Sequence, residues 1–247
     1  MQPAGQRMPH ARQPSAPSTL HRRVAENLTR TLANYALVTP AGALKQTPGL
    51  TLVSSGIRYS VFNAAILTEP SITSAEELTS RLVTAAGFYL KQGMPWSCWV
   101  CRDHFGPQMR SFGDLIFQRR GLRFLAEHMG LEADRLAPIS RKLPVLEVRA
   151  VTTPETRRDF CTITGEAFLL PQGVSKQIYE APGLWRGNYL GLVGYAEGRP
   201  ICAAATCTGP EGIGLYSVAT SFAYRGRGYG EAITRAAIDR EIGRAHV

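Results

Sequence analysis

A strand-like run, Ile213 to Thr220, passes through Arg225-Gly226-Arg227-Gly228-Tyr229-Gly230 into a helix-like run, Glu231 to Arg240. This connection constrains the fold more than any other stretch of the chain. Gly228 and Gly230 have no Cβ, so the backbone can take positive φ and bring its N–H groups close to an anion at a helix N-terminus. Arg225 and Arg227 add charge beside those dipoles. A Walker A loop would need Gly-Lys followed by Ser or Thr, and here the order is Gly-Tyr-Gly-Glu. A dinucleotide fingerprint would need G-x-G-x-x-G early in a βαβ unit, with an acidic residue roughly 20 positions on. The spacing differs and the chain ends too soon. An RNA-binding arginine-glycine segment would be repeated and poor in apolar flanks, whereas this one is single and framed by strand and helix.

The flanks support a phosphate-holding turn. Ile213, Leu215, Ser217 and Ala219 alternate with Gly214, Tyr216, Val218 and Thr220, both sets being mostly apolar or small, as expected of a central strand covered on both faces. After the turn, Ala232, Ile233, Ala236 and Ala237 form one helical stripe, and Glu231, Arg235 and Asp239 fall on the wet face. Upstream, the patterns predict a strand at Leu146 to Val151 and helices at Thr153 to Phe168 and Gln172 to Tyr179. A hairpin follows from Asn188 to Ala196 and Pro200 to Cys207, turning at Glu197-Gly198-Arg199.

The segment from Gly214 to Thr234, with Ser217-Val218-Ala219-Thr220 before the R-x-x-G-x-G turn, resembles the GNAT superfamily of acyl-CoA N-acyltransferases. The resemblance implies an α/β fold with a mixed sheet, and a splayed strand that exposes backbone groups to pantetheine. It also implies acetyl-CoA as co-substrate and an amine-bearing acceptor, small molecule or protein. By the same resemblance Val218, Ala219, Thr220, Arg225, Gly226, Arg227, Gly228, Tyr229 and Gly230 bind the cofactor, and the N–H near Val218 polarises the thioester carbonyl. A lysine-type amine, with a pKa near about 10.4, must lose a proton before attack. Glu166, Glu180, Glu211 and Tyr216 are open candidates, and no catalytic residue is assigned. The alternative is a catalytically silent CoA-binding regulator.

From His21 to Leu143 the chain resembles the degenerate, non-catalytic amino-terminal region of some bacterial GNAT proteins, on the patterns Ser60-Val-Phe-Asn63 and Gly93-Met-Pro-Trp-Ser-Cys-Trp-Val100. Helices are expected at His21 to Leu37, Ser74 to Gln92 and Gln108 to Arg120. Strands are expected at Thr51 to Ser55, Tyr59 to Leu67, Trp96 to Cys101 and Leu122 to Met129, with Gly56 at a turn. This region has no R-x-x-G-x-G turn and is assigned no CoA site. Phe62, Trp96 and Trp99 read as core or interface residues. The expected divisions are a disordered tail at 1–20, the degenerate half at 21–143, a proline-bounded linker at Pro138 to Pro144, and the transferase domain at 146–241.

Residues 242–247, Ile-Gly-Arg-Ala-His-Val, can be encoded by a common sequencing-adapter read followed by a stop codon, so they read as an artefact that truncates the transferase domain before its acceptor side. Composition narrows the rest. Of the 28 basic residues only four are lysine, and the net charge of +9 is spread along the chain, so it calls for CoA phosphates or a solvated surface rather than nucleic acid. No run approaches the about 18 apolar residues of a membrane span, and no secretory signal is present, which together predict a cytoplasmic protein. Cys98, Cys101 and His104 lack a second ligand pair, so no metal site is expected and the five cysteines read as reduced. Acceptor and oligomeric state are not encoded legibly.

Overall fold

A computed structural model of the protein describes residues 17–68 and 71–245. Helix α1 (Pro17–Ala33) is followed by strands β1 (Ala43–Thr47), β2 (Leu50–Ser54) and β3 (Asn63–Leu67), helix α2 (Ala75–Gln92), strand β4 (Ser97–Val100) and helix α3 (Pro107–Arg119). The second half holds β5 (Glu147–Ala150), α4 (Pro154–Ala167), α5 (Gln172–Tyr179), β6 (Tyr189–Ala196), β7 (Arg199–Gly209), β8 (Gly212–Thr220) and α6 (Tyr229–Ala245). Two sheets result, ordered β1-β2-β3-β4 and β5-β6-β7-β8. The first is mixed, because β4 runs parallel to β3 after the α2 crossover. The second is antiparallel throughout the described residues. Each half thus contains three antiparallel strands followed by a helix.

Most expected elements form, because their punctuation is chemically explicit. Ser74 caps α2 by accepting from the Glu77 N–H, and Gly93 ends it in the left-handed region at φ 64°. Thr153 and Thr156 make a reciprocal capping box at the start of α4. Glu197 and Gly198 both have positive φ and form a two-residue hairpin turn, so Arg199 belongs to β7 rather than to the turn. The Asn63 side chain explains its motif: buried, it accepts from the Ser55 N–H and donates to the carbonyls of Ile57 and Pro95, tying the β2–β3 loop to β4.

Four expectations are corrected. The tail at 1–20 ends earlier, since α1 is already helical at Pro17; residues 1–16 lie outside the described residues, as do His246 and Val247. The sequence reading missed β1, whose turn signal was Pro48-Gly49, with Gly49 at φ 77°. The strand expected at Tyr59 to Leu67 begins only at Asn63, after a 3₁₀ turn at Ser60–Phe62. Leu122 to Met129 is not a strand. Phe124 and Met129 are solvent-exposed, and the chain beyond them is drawn away from β4 toward α1, where Gly130 sits against Val24 and Glu132 pairs with Arg23.

Three apolar clusters hold the molecule together. Leu50, Leu52, Ala65 and Leu67 pack under α2 with Leu78, Leu82 and Tyr89. Leu192, Cys202 and Ala204 meet Ile233 and Ala237 of α6, the stripe expected from sequence. The largest cluster belongs to both halves: Leu32, Tyr35, Val53 and Phe62 pack with Phe160, Ile178, Tyr189 and Val193. Trp99 lies at its margin, whereas Trp96 stacks on Tyr89 at 5.4 Å in the first half's own core. The halves approach so closely that a Cβ on Gly183 would stand 1.8 Å from the Leu37 carbonyl oxygen.

Helix α4 ends in a Schellman motif in which the left-handed position is filled by Leu169, φ 54°, while Leu170 N–H bonds to the Gly165 carbonyl at 2.9 Å. Leu169 is 80% exposed, so its side chain offers little to offset the backbone strain. Leu169→Gly is expected to raise stability by about 1 kcal/mol, read as a higher urea midpoint with unchanged slope.

Candidate functional site

Strand β8 delivers the chain to the glycine turn, but not as the regular central strand that alternation suggests. It is the edge strand of its sheet, covered on its two faces. Across the β7–β8 ladder Ala203 faces Ala219 and Ala205 faces Tyr216, which leaves Ser217 and Val218 opposite Ala204 alone. This is a β-bulge, with Ser217 in the left-handed region at φ 51°. The extra residue reverses the alternation: Leu215 packs on the α6 side and Ala219 on the other, although both were expected on one face. The bulge also removes Ser217 and Val218 from regular pairing and turns the Val218 side chain outward, 36% exposed.

Ser217 is held from beneath. Its hydroxyl lies 2.8 Å from the Tyr189 hydroxyl, in a buried group that includes Tyr35 and Tyr179. Burial pushes the Tyr179 phenol up to about 12, and those of Tyr35 and Tyr189 well above the usual tyrosine range. At neutral pH these are neutral hydrogen-bonding groups that fix the bulge. Sequence reasoning missed this cluster, because its members come from residues 35, 179, 189 and 217 and no local spacing unites them.

Beyond Thr220 the turn closes over an open cavity of about 260 Å³, lined by Thr220, Arg225, Gly226, Gly228, Tyr229 and Gly230 together with Tyr224, Glu231 and Arg141. Gly226 and Gly228 have φ of 76° and 89°, conformations that cost a side-chain-bearing residue about 1–2 kcal/mol. The Gly228 carbonyl accepts the Ala232 N–H at 3.0 Å, starting α6, so the following amide N–H groups point forward without intrahelical partners. Arg225 is laid over the Phe222 ring, 3.9 Å from its centroid, with Nε donating to the Thr220 carbonyl. Arg227 lies 5.6 Å from the Tyr224 ring centroid. The arrangement is a cationic concavity at a helix N-terminus, fed by a bulged strand edge.

The turn residues Thr220, Arg225, Gly226, Gly228, Tyr229 and Gly230 are brought together around this cavity. Val218 and Ala219 lie upstream on the bulged strand. The open candidates for a base are not gathered there. Glu166 is exposed on α4. Tyr216 donates to Asn27 Oδ1 at 2.6 Å, and Glu211 pairs with Arg30 at 2.7 Å, so both serve the seat of α1 on the second sheet. Among the described residues no group of three or more His, Cys, Asp or Glu side chains could hold a metal ion. Cys98 is half-buried against the α2 core, and desolvation there pushes its thiol up to about 12. No described helix is long and apolar enough to cross a membrane.

The Arg30 guanidinium holds the Glu211 carboxyl below the ordinary carboxylate range. A lowered native pKa means that folding favours the ionised form. The stabilisation is therefore present above the unfolded pKa of about 4.3 and is lost as pH falls through the lower native value. Urea unfolding of Glu211→Gln against the unsubstituted protein is expected to show a stability gap above about pH 5 that narrows toward pH 3; a gap independent of pH would contradict this.

No protein-family model matches the sequence. A search of curated proteins likewise found no match. The structure is similar to that of a GCN5-related N-acetyltransferase from Kribbella flavida, with a TM-score of 0.60 and 15% identity, covering 88% of this chain and 79% of that one. The fold is that of the GNAT proteins. A functionally unknown conserved protein from Staphylococcus epidermidis ATCC 12228 covers 79% of both chains at 11% identity and a TM-score of 0.49. An aminoglycoside acetyltransferase from an uncultured soil metagenomic sample, 22% identical, covers 42% of this chain and 74% of its own, at a TM-score of 0.33. At those scores neither bears on function. The match to the Kribbella flavida structure spans 88% of this chain and so includes parts of both halves. In the first half the sequence between β3 and α2, Thr68 to Ser74, contains no glycine, and Ile72 is completely buried.

Proposed function

We propose that this protein binds acetyl-CoA and transfers its acetyl group to an amine. The observation that carries the reading is the bulged edge of β8 leading directly into a turn with two glycines at positive φ that opens α6. In this reading the amides of Gly228, Tyr229 and Gly230 and the Arg225 and Arg227 guanidiniums hold the diphosphate. Pantetheine runs along Val218 to Thr220, and a backbone amide at the bulge donates to the thioester oxygen as negative charge develops there. The bulge is fixed before cofactor arrives, by Tyr189 on Ser217, so the donor needs no reorganisation at the moment of reaction. Glu211 and Tyr216 are committed to Arg30 and Asn27, so in this reading the acceptor's proton leaves by another group or a water relay.

Isothermal titration with acetyl-CoA, CoA and AMP tests the cofactor assignment. Acetyl-CoA and CoA should bind alike, because the diphosphate and pantetheine are common to both, and AMP should bind far more weakly. Absence of binding by either CoA species overturns the reading.

A further inference from the structure

The segment joining the two halves, residues 120–146, has no regular structure, yet it is tied down along its length. The His128 ring stacks on Trp99, and Glu132 pairs with Arg23 of α1. The Ala137 carbonyl accepts from Arg235 of α6 at 2.8 Å, and Arg141 pairs with Glu231 at 3.2 Å. Its last residues rest on the glycine turn: a Cβ on Gly228 would lie 3.2 Å from Pro144 Cδ and 3.7 Å from both Leu143 Cδ2 and Arg141 Nη2. Arg141 is thus a wall of the phosphate-facing cavity, contributed by the linker rather than by the turn.

We propose that Arg141 is a third phosphate-binding arginine, which exchanges Glu231 for a CoA phosphate and draws the linker closed over the bound cofactor. The proposal rests on the CoA assignment above. The exchange is favourable on the charges present. Glu231 has a second partner, Arg235, at 3.0 Å, so releasing Arg141 leaves no carboxylate without a cation. The pair being given up is a solvent-exposed one, with the Arg141 side chain 56% exposed, and such pairs contribute little. An arginine–phosphate contact is charge-assisted and can be bidentate. CoA carries one phosphate more than the diphosphate that the turn can cradle. Because the same linker is anchored to α1 and to Trp99, closure would tie the first half to cofactor occupancy.

The test uses the full chain. CoA is titrated into the unsubstituted protein, Arg141→Ala and Arg141→Lys, and tryptic cleavage after Lys142 is timed with and without CoA. Arg141→Ala is expected to weaken CoA binding by roughly tenfold or more, with Arg141→Lys in between, while melting temperature is unchanged. CoA is expected to slow cleavage after Lys142 in the unsubstituted protein and not in Arg141→Ala. Repeating the titrations with dephospho-CoA assigns the contact: a loss that persists places Arg141 on the diphosphate, and a loss that vanishes places it on the 3′-phosphate. Arg141→Ala binding CoA as tightly as the unsubstituted protein, with equal protection of Lys142, overturns this proposal and leaves the acyltransferase reading standing. An unsubstituted protein that binds no CoA overturns both.

Discussion

Gly228→Glu is expected to abolish CoA binding while leaving the protein folded. Three effects act in the same direction. The φ of 89° is strained for any residue with a Cβ, at about 1–2 kcal/mol. The added Cβ meets Pro144 Cδ at 3.2 Å, so the linker or the turn must shift by a few tenths of an ångström. The new carboxylate stands where the diphosphate charge would sit, between amides that can serve one anion or the other. Together they should weaken binding by at least about 100-fold, near 3 kcal/mol. Gly173→Ala is the control, since Gly173 lies on α5 outside the cavity lining and its Cβ would meet nothing within 4 Å. Calorimetric titration with far-ultraviolet dichroism as the folding check decides it; Gly228→Glu binding CoA like the control would remove the turn from the site.

The second large effect concerns stability. Phe160 is fully buried, edge-on to Trp185 at 5.0 Å and tilted against Tyr179 at 5.4 Å, inside the cluster that both halves share. Phe160→Ala should cost about 3–5 kcal/mol, a large part of the 5–15 kcal/mol that holds a domain folded. Because Phe62 and Tyr35 of the first half lie in the same cluster, the loss is expected to lower one common transition rather than to uncouple two. Tryptophan fluorescence from Trp96 and Trp99 in the first half and Trp185 in the second, followed through urea unfolding beside circular dichroism, measures this. Two separated transitions in the variant would show that each half is stable alone.

Sequence carried the glycine turn and its flanks because positive φ, a helix start and period-2 apolar alternation each require particular residue types over a short span. It did not carry the bulge, because Ser217 reaches the left-handed region without a glycine to mark it, held by Tyr189 from a strand 28 residues earlier in the chain. The role of α1 was hidden for a related reason. Its pattern shows a buried face, yet nothing local says that Asn27 and Arg30 dock on β8 and its hairpin in the other half. Leu122 to Met129 looked like a strand from its apolar content alone, and the contacts that pull the following residues toward α1 lie about 100 positions away. Glu211 and Tyr216 stayed open as base candidates for the same reason, since their partners Arg30 and Asn27 are distant in sequence.

The docking of α1 bears on inheritance. Asn27 with Tyr216 and Arg30 with Glu211 are lock-and-key pairs whose members lie 189 and 181 positions apart in the chain. A drift at either position leaves a stranded amide, phenol or charge unless its counterpart drifts too, so descendants of this protein are expected to vary at these sites in tandem. Recombination that swapped the codons of the first half between distant cousins would separate both pairs at once.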